Sequence, residues 1–170
     1  DHSVVGTNCW VTGQGSVGGS LGENDVDGGV TTLISPNYDL SAANSPIISY
    51  WRWFSNNSGA GPGTDTFRVD ISANGGATWT SVEVIGPTGN FTSGGWFQHQ
   101  FRVEDFVALS ATVRLRFRAE DVAAASIVEA AIDDLVVGEL FCNDCNGNGV
   151  PDDQDIASGT SQDADNDGTP

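Results

Sequence analysis

The chain has 170 residues, 38% of them hydrophobic, which suits one domain of ordinary size with a short appendix and includes no apolar run near membrane-span length. Its formal charge is −17, with six arginines and no lysine, a balance that repels nucleic acid and anionic membrane and attracts cations.

Short β-rich runs follow one another, separated by Gly, Asn, Pro and Ser. The spacing predicts strands over 8–12, 30–35, 47–55, 66–72, 80–85, 97–103, 112–119 and 127–137. Many short strands at this spacing indicate an all-β fold, a two-sheet antiparallel β-sandwich or jelly roll, over residues 1–141. In the 112–119 run, Val113, Leu115 and Phe117 alternate with Arg114, Arg116 and Arg118, so one face is apolar and the other basic. That arginine row either binds an anionic polymer or pairs with acids on a neighbouring strand.

The aromatic run Tyr50-Trp51-Arg52-Trp53-Phe54 stands out. Alternation places Tyr50, Arg52 and Phe54 on one face and Trp51 and Trp53 on the other. Sugar recognition combines flat aromatic faces with planar hydrogen-bonding groups, and Arg52, Trp53, Asn56 and Trp96 are the candidate ligand-binding residues. The competing reading makes the aromatics core and pairs Arg52 with an acid.

After Phe141 the composition changes. Residues 142–170 contain no basic residue and many aspartates, and cannot bury enough surface to order themselves unaided. The run from Asp144 places side-chain oxygens of Asp144, Asn146, Asn148, Asp152 and Asp155 at loop positions 1, 3, 5, 9 and 12, with Gly149 at 6 and the Val150 carbonyl at 7. Calcium takes about 6–8 oxygens, and this spacing points them at a common centre. A second copy starts with Asp163, Asp165, Asp167 and Thr169 in the same register. The expected tail is short and irregular, organised by Ca²⁺ and truncated within its second loop.

Cys9, Cys142 and Cys145 make an odd count with one CxxC and no second cysteine pair, which disfavours zinc and leaves the disulfide pairing open. They read as extracellular structural cysteines. His2 and His99 have no evident nucleophile or metal-binding neighbour, and no catalytic constellation is visible.

These motifs carry resemblances. The tail resembles thrombospondin type-3 calcium repeats and dockerin loops, with Asp155 where an EF-hand sensor has Glu. The stretches CWVTGQGSVGGSLGENDVDGGVTTLISP, ISYWRWFSNNSG, FRVDISANGGATW and VEAAIDDLVV resemble MAM-like jelly-roll accessory modules of secreted bacterial hydrolases, peptidases among them. That resemblance implies a secreted, non-catalytic module binding a glycan or cell-surface ligand; in such modules further strands precede the position of Cys9, so the sandwich is expected to lack its N-terminal strands. It also implies a structural Ca²⁺ held by Asp25, Asp27 and Asp133. Ser72–Trp79 resembles an Asp-box with Asn74 in place of Asp, a structural hairpin. The alternative function is a structural subunit of an extracellular assembly, in which neighbouring copies complement one another's sheets.

Overall fold

Strands form where inward apolar residues alternate with outward polar or aromatic ones, and glycines close the turns between them. A computed structural model describes residues 1–3, 5–122, 126–139, 150 and 152–162, without the side chains of 152 and 153. Eight strands run along the chain: β1 (Trp10–Val11), β2 (Gly29–Ile34), β3 (Pro46–Gly59), β4 (Phe67–Ser72), β5 (Thr80–Ile85), β6 (Ser93–Arg102), β7 (Arg114–Asp121) and β8 (Ser126–Glu139). A 3-10 turn, Val103–Asp105, follows β6.

The strands make two four-stranded sheets. One has the order β1-β8-β3-β6 and the other β2-β7-β4-β5. This interleaving of early and late strands is the double Greek key of a jelly roll. Ile48, Tyr50 and Phe54 of β3 meet Phe67, Val69 and Ile71 of β4 and Leu115 and Phe117 of β7 in one core. Burying each such large apolar side chain contributes about 1.5–3 kcal/mol before ordering entropy is subtracted.

The predicted strands all form, with shifted ends. The first contracts to Trp10–Val11, paired with Ile132 and Ala131 of β8. The chain then leaves the sheet at Gly13, whose backbone lies so close to the Asn24 carbonyl that a Cβ would sit 1.8 Å from that oxygen. The third extends to Gly59, because Asn56 points inward and finds backbone partners.

Contacts divide the chain into two units, Asp1–Gly138 and Glu139–Pro170. The second was expected to be irregular and instead contains a short helix, α1 (Asp152–Ser158). Its Asp155 carbonyl accepts from the Thr160 amide at 2.9 Å, which closes the turn after the helix.

Candidate ligand-binding face

The outer face of the β1-β8-β3-β6 sheet carries the aromatic cluster. Alternation along β3 buries Tyr50, Arg52, Phe54 and Asn56 and leaves Ser49, Trp51, Trp53 and Ser55 half-buried on the outside. Register with β6 sets Trp53 opposite Trp96, Trp51 opposite Gln98 and Ser49 opposite Gln100. Directly opposed residues share a face about 4.5–5.5 Å apart at Cβ. The result is a Trp53–Trp96 pair with exposed amides of Gln98 and Gln100 further along the strand.

Two features hold these indoles in place. Gly94 has φ +81, and a Cβ there would lie 2.8 Å from the Trp53 ring, so only glycine fits. His2 stacks on Trp51 with ring centroids 3.6 Å apart and planes 16° from parallel, and meets Trp96 edge-on at 6.0 Å. His2 is fixed by Asp134 on its Nδ1 at 2.8 Å, and its backbone N–H donates to Asp133 at 2.7 Å. Burial works to raise the Asp133 pKa. The amides of His2, Asp134 and Ser3 outweigh it, holding the carboxyl below its ordinary value.

A loop covers the neighbouring part of this sheet. Gly22 packs on Ile127 of β8, and the 15–23 segment borders an open, solvent-facing cavity of about 330 Å³. Ser16, Ser20, Leu21 and Glu23 line it from the loop, and Glu129 from β8. Ser16 Oγ donates to Glu23 Oε1 at 2.8 Å.

The four expected ligand residues are therefore not brought together. Trp53 and Trp96 face out as a pair, whereas Arg52 and Asn56 point into the sandwich. Arg52 is 5% exposed and donates Nε to Glu83 of β5 at 2.8 Å, with its guanidinium 5.0 Å from the Phe91 ring. Asn56 is fully buried and donates Nδ2 to the carbonyls of Asp65 and Pro87 at 2.7 and 2.9 Å. The period of two decides this: 52 and 56 cannot share a face with 53 in a regular strand. Trp51, His2 and the Glu23–Glu129 cavity belong to the face and were not among the expected residues. Trp51 was legible from the same alternation; the other contacts join segments from 49 to 132 residues apart.

Of the expected calcium ligands, Asp144, Asn146, Asn148, Asp163, Asp165, Asp167 and Thr169 lie outside the described residues, as does the Asp152 side chain. Val150 is 39% exposed, and Asp155 is 1% exposed with its Oδ2 accepting from Ser161 Oγ at 3.4 Å. Among the described residues no group of three or more His, Cys, Asp or Glu is placed to hold a metal, so Asp25, Asp27 and Asp133 are not gathered into such a group. Asp133 instead receives the amides of His2 and Asp134.

The remaining motifs are structural. In the 72–79 turn, Ser72 Oγ accepts from the Gly76 amide at 2.9 Å and Asn74 Oδ1 from the Thr78 amide at 2.8 Å. Trp79 stacks on Arg116, 4.4 Å from its guanidinium. Arg116 binds Asp70 across the strand at 2.7 Å, Arg118 binds Glu120 at 2.6 Å, and Arg114 caps the Ser35 carbonyl at 3.0 Å. Cys9 is half-buried and has no disulfide partner among the described residues, Cys142 and Cys145 lying outside them. Asp65 and Asp121 are buried and share the Ser126 hydroxyl; the Val122 and Gly28 amides donate to them at 2.9 Å each.

No family model matches the chain, and no curated protein matches it. Among solved structures the chain is similar to a CBM4 module, at 14% identity and TM-score 0.42, over 68% of this chain and 80% of that one. It is also similar to a family GH115 4-O-methyl-alpha-glucuronidase with specificity for decorated arabinogalactans, at 16% identity and TM-score 0.39, over 69% of this chain and 14% of that one. A third is the CBM22-1–GH10 portion of endo-1,4-beta-D-xylanase 10B from Clostridium thermocellum, complexed with xylohexaose. There the identity is 14% and the TM-score 0.37, over 89% of this chain and 28% of that one. The chain thus spans most of the first of these and under a third of the other two.

Proposed function

We propose that the sandwich is a non-catalytic, extracellular glycan-binding module whose ligand lies on the Trp53–Trp96 face. The observation that carries this is the cross-strand pairing of Trp53 with Trp96 on a sheet face whose neighbouring outward positions are Gln98, Gln100, Ser49 and Ser55. A pyranose has an apolar C–H face that stacks on indole and a rim of hydroxyls that amides and hydroxyls satisfy. Both ring and rim chemistry are present on one strand pair, and the ring positions are fixed by backbone register. Affinity electrophoresis against a panel of polysaccharides tests the reading: wild type is retarded by at least one polymer, and Trp53→Ala is not.

Calcium is part of the proposal. The tail loops rest on sequence spacing: Asp144, Asn146, Asn148, Asp152 and Asp155, with the Val150 carbonyl, supply an oxygen set of the size and hardness that Ca²⁺ takes. The ion would tie the acidic segment into a closed loop.

A second reading, strand complementation between copies, is favoured by one observation. The β1 ladder reaches only Ala131 and Ile132 of the fourteen-residue β8, with single backbone bonds from Thr12 to Ala130 and from Val26 to Val128 beside it among the described residues. Beside it an apolar cleft of about 350 Å³ opens between Trp10, Leu33, Tyr38, Phe117 and Leu135. A strand from a neighbouring copy fits such an edge. Light scattering discriminates: a monomer at all concentrations removes this reading.

A further inference from the structure

We infer that the tryptophan face selects neutral, hydroxyl-rich polysaccharide over uronate-bearing polysaccharide, and that the cavity under the 15–23 loop is the subsite that discriminates. The inference rests on the glycan-binding reading above and names the ligand class for that face.

The cavity is within the size range of small-ligand pockets, at about 330 Å³. It adjoins the aromatic face, because Glu129 projects from β8 on the same side as Ile127 and Ala131, and β8 neighbours β3 in the sheet. Gly59 of β3 backs onto Ser126 and Ile127, while His2 spans Trp51 and Asp134. The β3 stretch between Trp51 and Gly59 therefore lies along the β8 stretch that contains Glu129, with Glu129 toward the Gly59 end and about four residues, or roughly 13 Å, along the strand from the level of Trp53.

The polar groups offered there are chiefly acceptors. A carboxylate accepts hydrogen bonds and donates none, so Glu23 and Glu129 suit sugar hydroxyls, each of which brings a proton to donate. Glu23 is held by its own loop: Ser16 Oγ donates to its Oε1, and its Oε2 lies against Gly19, where a Cβ would sit 1.7 Å away.

The surrounding charge has one sign. Asp133 and Asp134 lie further along β8, with Asp134 held to His2. The strands of this sheet contain two arginines. Arg52 is turned inward onto Glu83, and Arg102 ends β6 beside Glu104 at 3.6 Å. A uronate carboxylate entering the cavity would meet two carboxylates and no base, an unfavourable pairing that discriminates by repulsion.

The test uses the full chain in affinity gels, with each uronate-bearing polysaccharide run beside its carboxyl-reduced, neutral form. Wild type is expected to hold the neutral form at least tenfold more tightly at low salt. The Glu23→Gln/Glu129→Gln variant, with melting temperature unchanged, is expected to narrow that ratio at least threefold. Equal retention of both forms, or a ratio the variant leaves unmoved, overturns the inference while the glycan reading stands. Retention of no polymer, charged or neutral, overturns both.

Discussion

Arg52 on one sheet and Glu83 on the other are joined across the sandwich by a 2.8 Å hydrogen-bonded ion pair, with side chains only 6% and 11% exposed. Tyr50 Oη donates to the same Glu83 oxygen at 2.8 Å, and His99 Nδ1 lies 3.5 Å from the other. One carboxylate thus gathers three side chains of the opposite sheet at the β5–β6 side, where no strand ladder joins the two sheets. Arg52→Leu leaves the mostly buried carboxylate without its arginine, with only the Tyr50 hydroxyl and the His99 ring beside it, and is expected to cost about 3–5 kcal/mol in urea unfolding. Arg52→Leu/Glu83→Leu is expected to cost less than the sum of the two single changes. A loss under about 1 kcal/mol for Arg52→Leu would show that solvent reaches the pair.

The same cluster predicts an alkaline limit. Burial, and then the Glu83 charge and its hydrogen bond, push the Tyr50 phenol far above its ordinary pKa. A raised pKa means the fold holds the proton more tightly than the unfolded chain does. That contribution is complete below the unfolded value of about 10 and declines as pH rises beyond it. Stability measured from pH 8 to 11 should fall above about pH 10, and Tyr50→Phe should flatten that fall. An unchanged slope in the variant contradicts the assignment.

Gly94→Ala tests the seat of the tryptophan pair. The left-handed backbone and the 2.8 Å approach to the Trp53 ring combine, so the substitution should cost about 1–3 kcal/mol. It should also weaken glycan retention by tilting the indole. Glycan retention and thermal stability both matching wild type would show that the ring is free to shift.

The strands and their two-sheet arrangement were legible because period-two alternation, clearest in β3 and β7, agrees with the glycine-rich turns between strands. Val113, Leu115 and Phe117 face in and the arginines between them face out, as that pattern requires. Arg52 shows where chemistry misleads: a guanidinium beside tryptophans resembles a sugar site, yet its partner is Glu83, 31 residues away on another sheet. His2 on Trp51 and the loop over Glu129 were not legible, since both join early residues to β3 or β8, and a contact over 131 residues leaves no local pattern. The helix α1 was missed because Asp152–Ser158 is polar and too short to show a periodic apolar face.

Calcium should bind with measurable heat in titration calorimetry and protect residues 142–170 from protease, with chelator reversing the protection and leaving the sandwich melting only modestly lower. Asp144→Ala should remove the heat assigned to the first loop. No heat, together with proteolysis indifferent to chelator, would make the segment an acidic linker.

The account's central claim is that the Trp53–Trp96 face holds a glycan. Its most direct measurement is the dissociation constant for the best-retained polysaccharide, compared among wild type, Trp53→Ala and Trp96→Ala. Stacking losses of about 1–3 kcal/mol per ring correspond to weakening of roughly 5- to 150-fold, and the half-buried rings permit the fold to persist. Each variant is expected to lose affinity in that range with an unaltered circular dichroism spectrum. Affinity unchanged in both variants would contradict the claim.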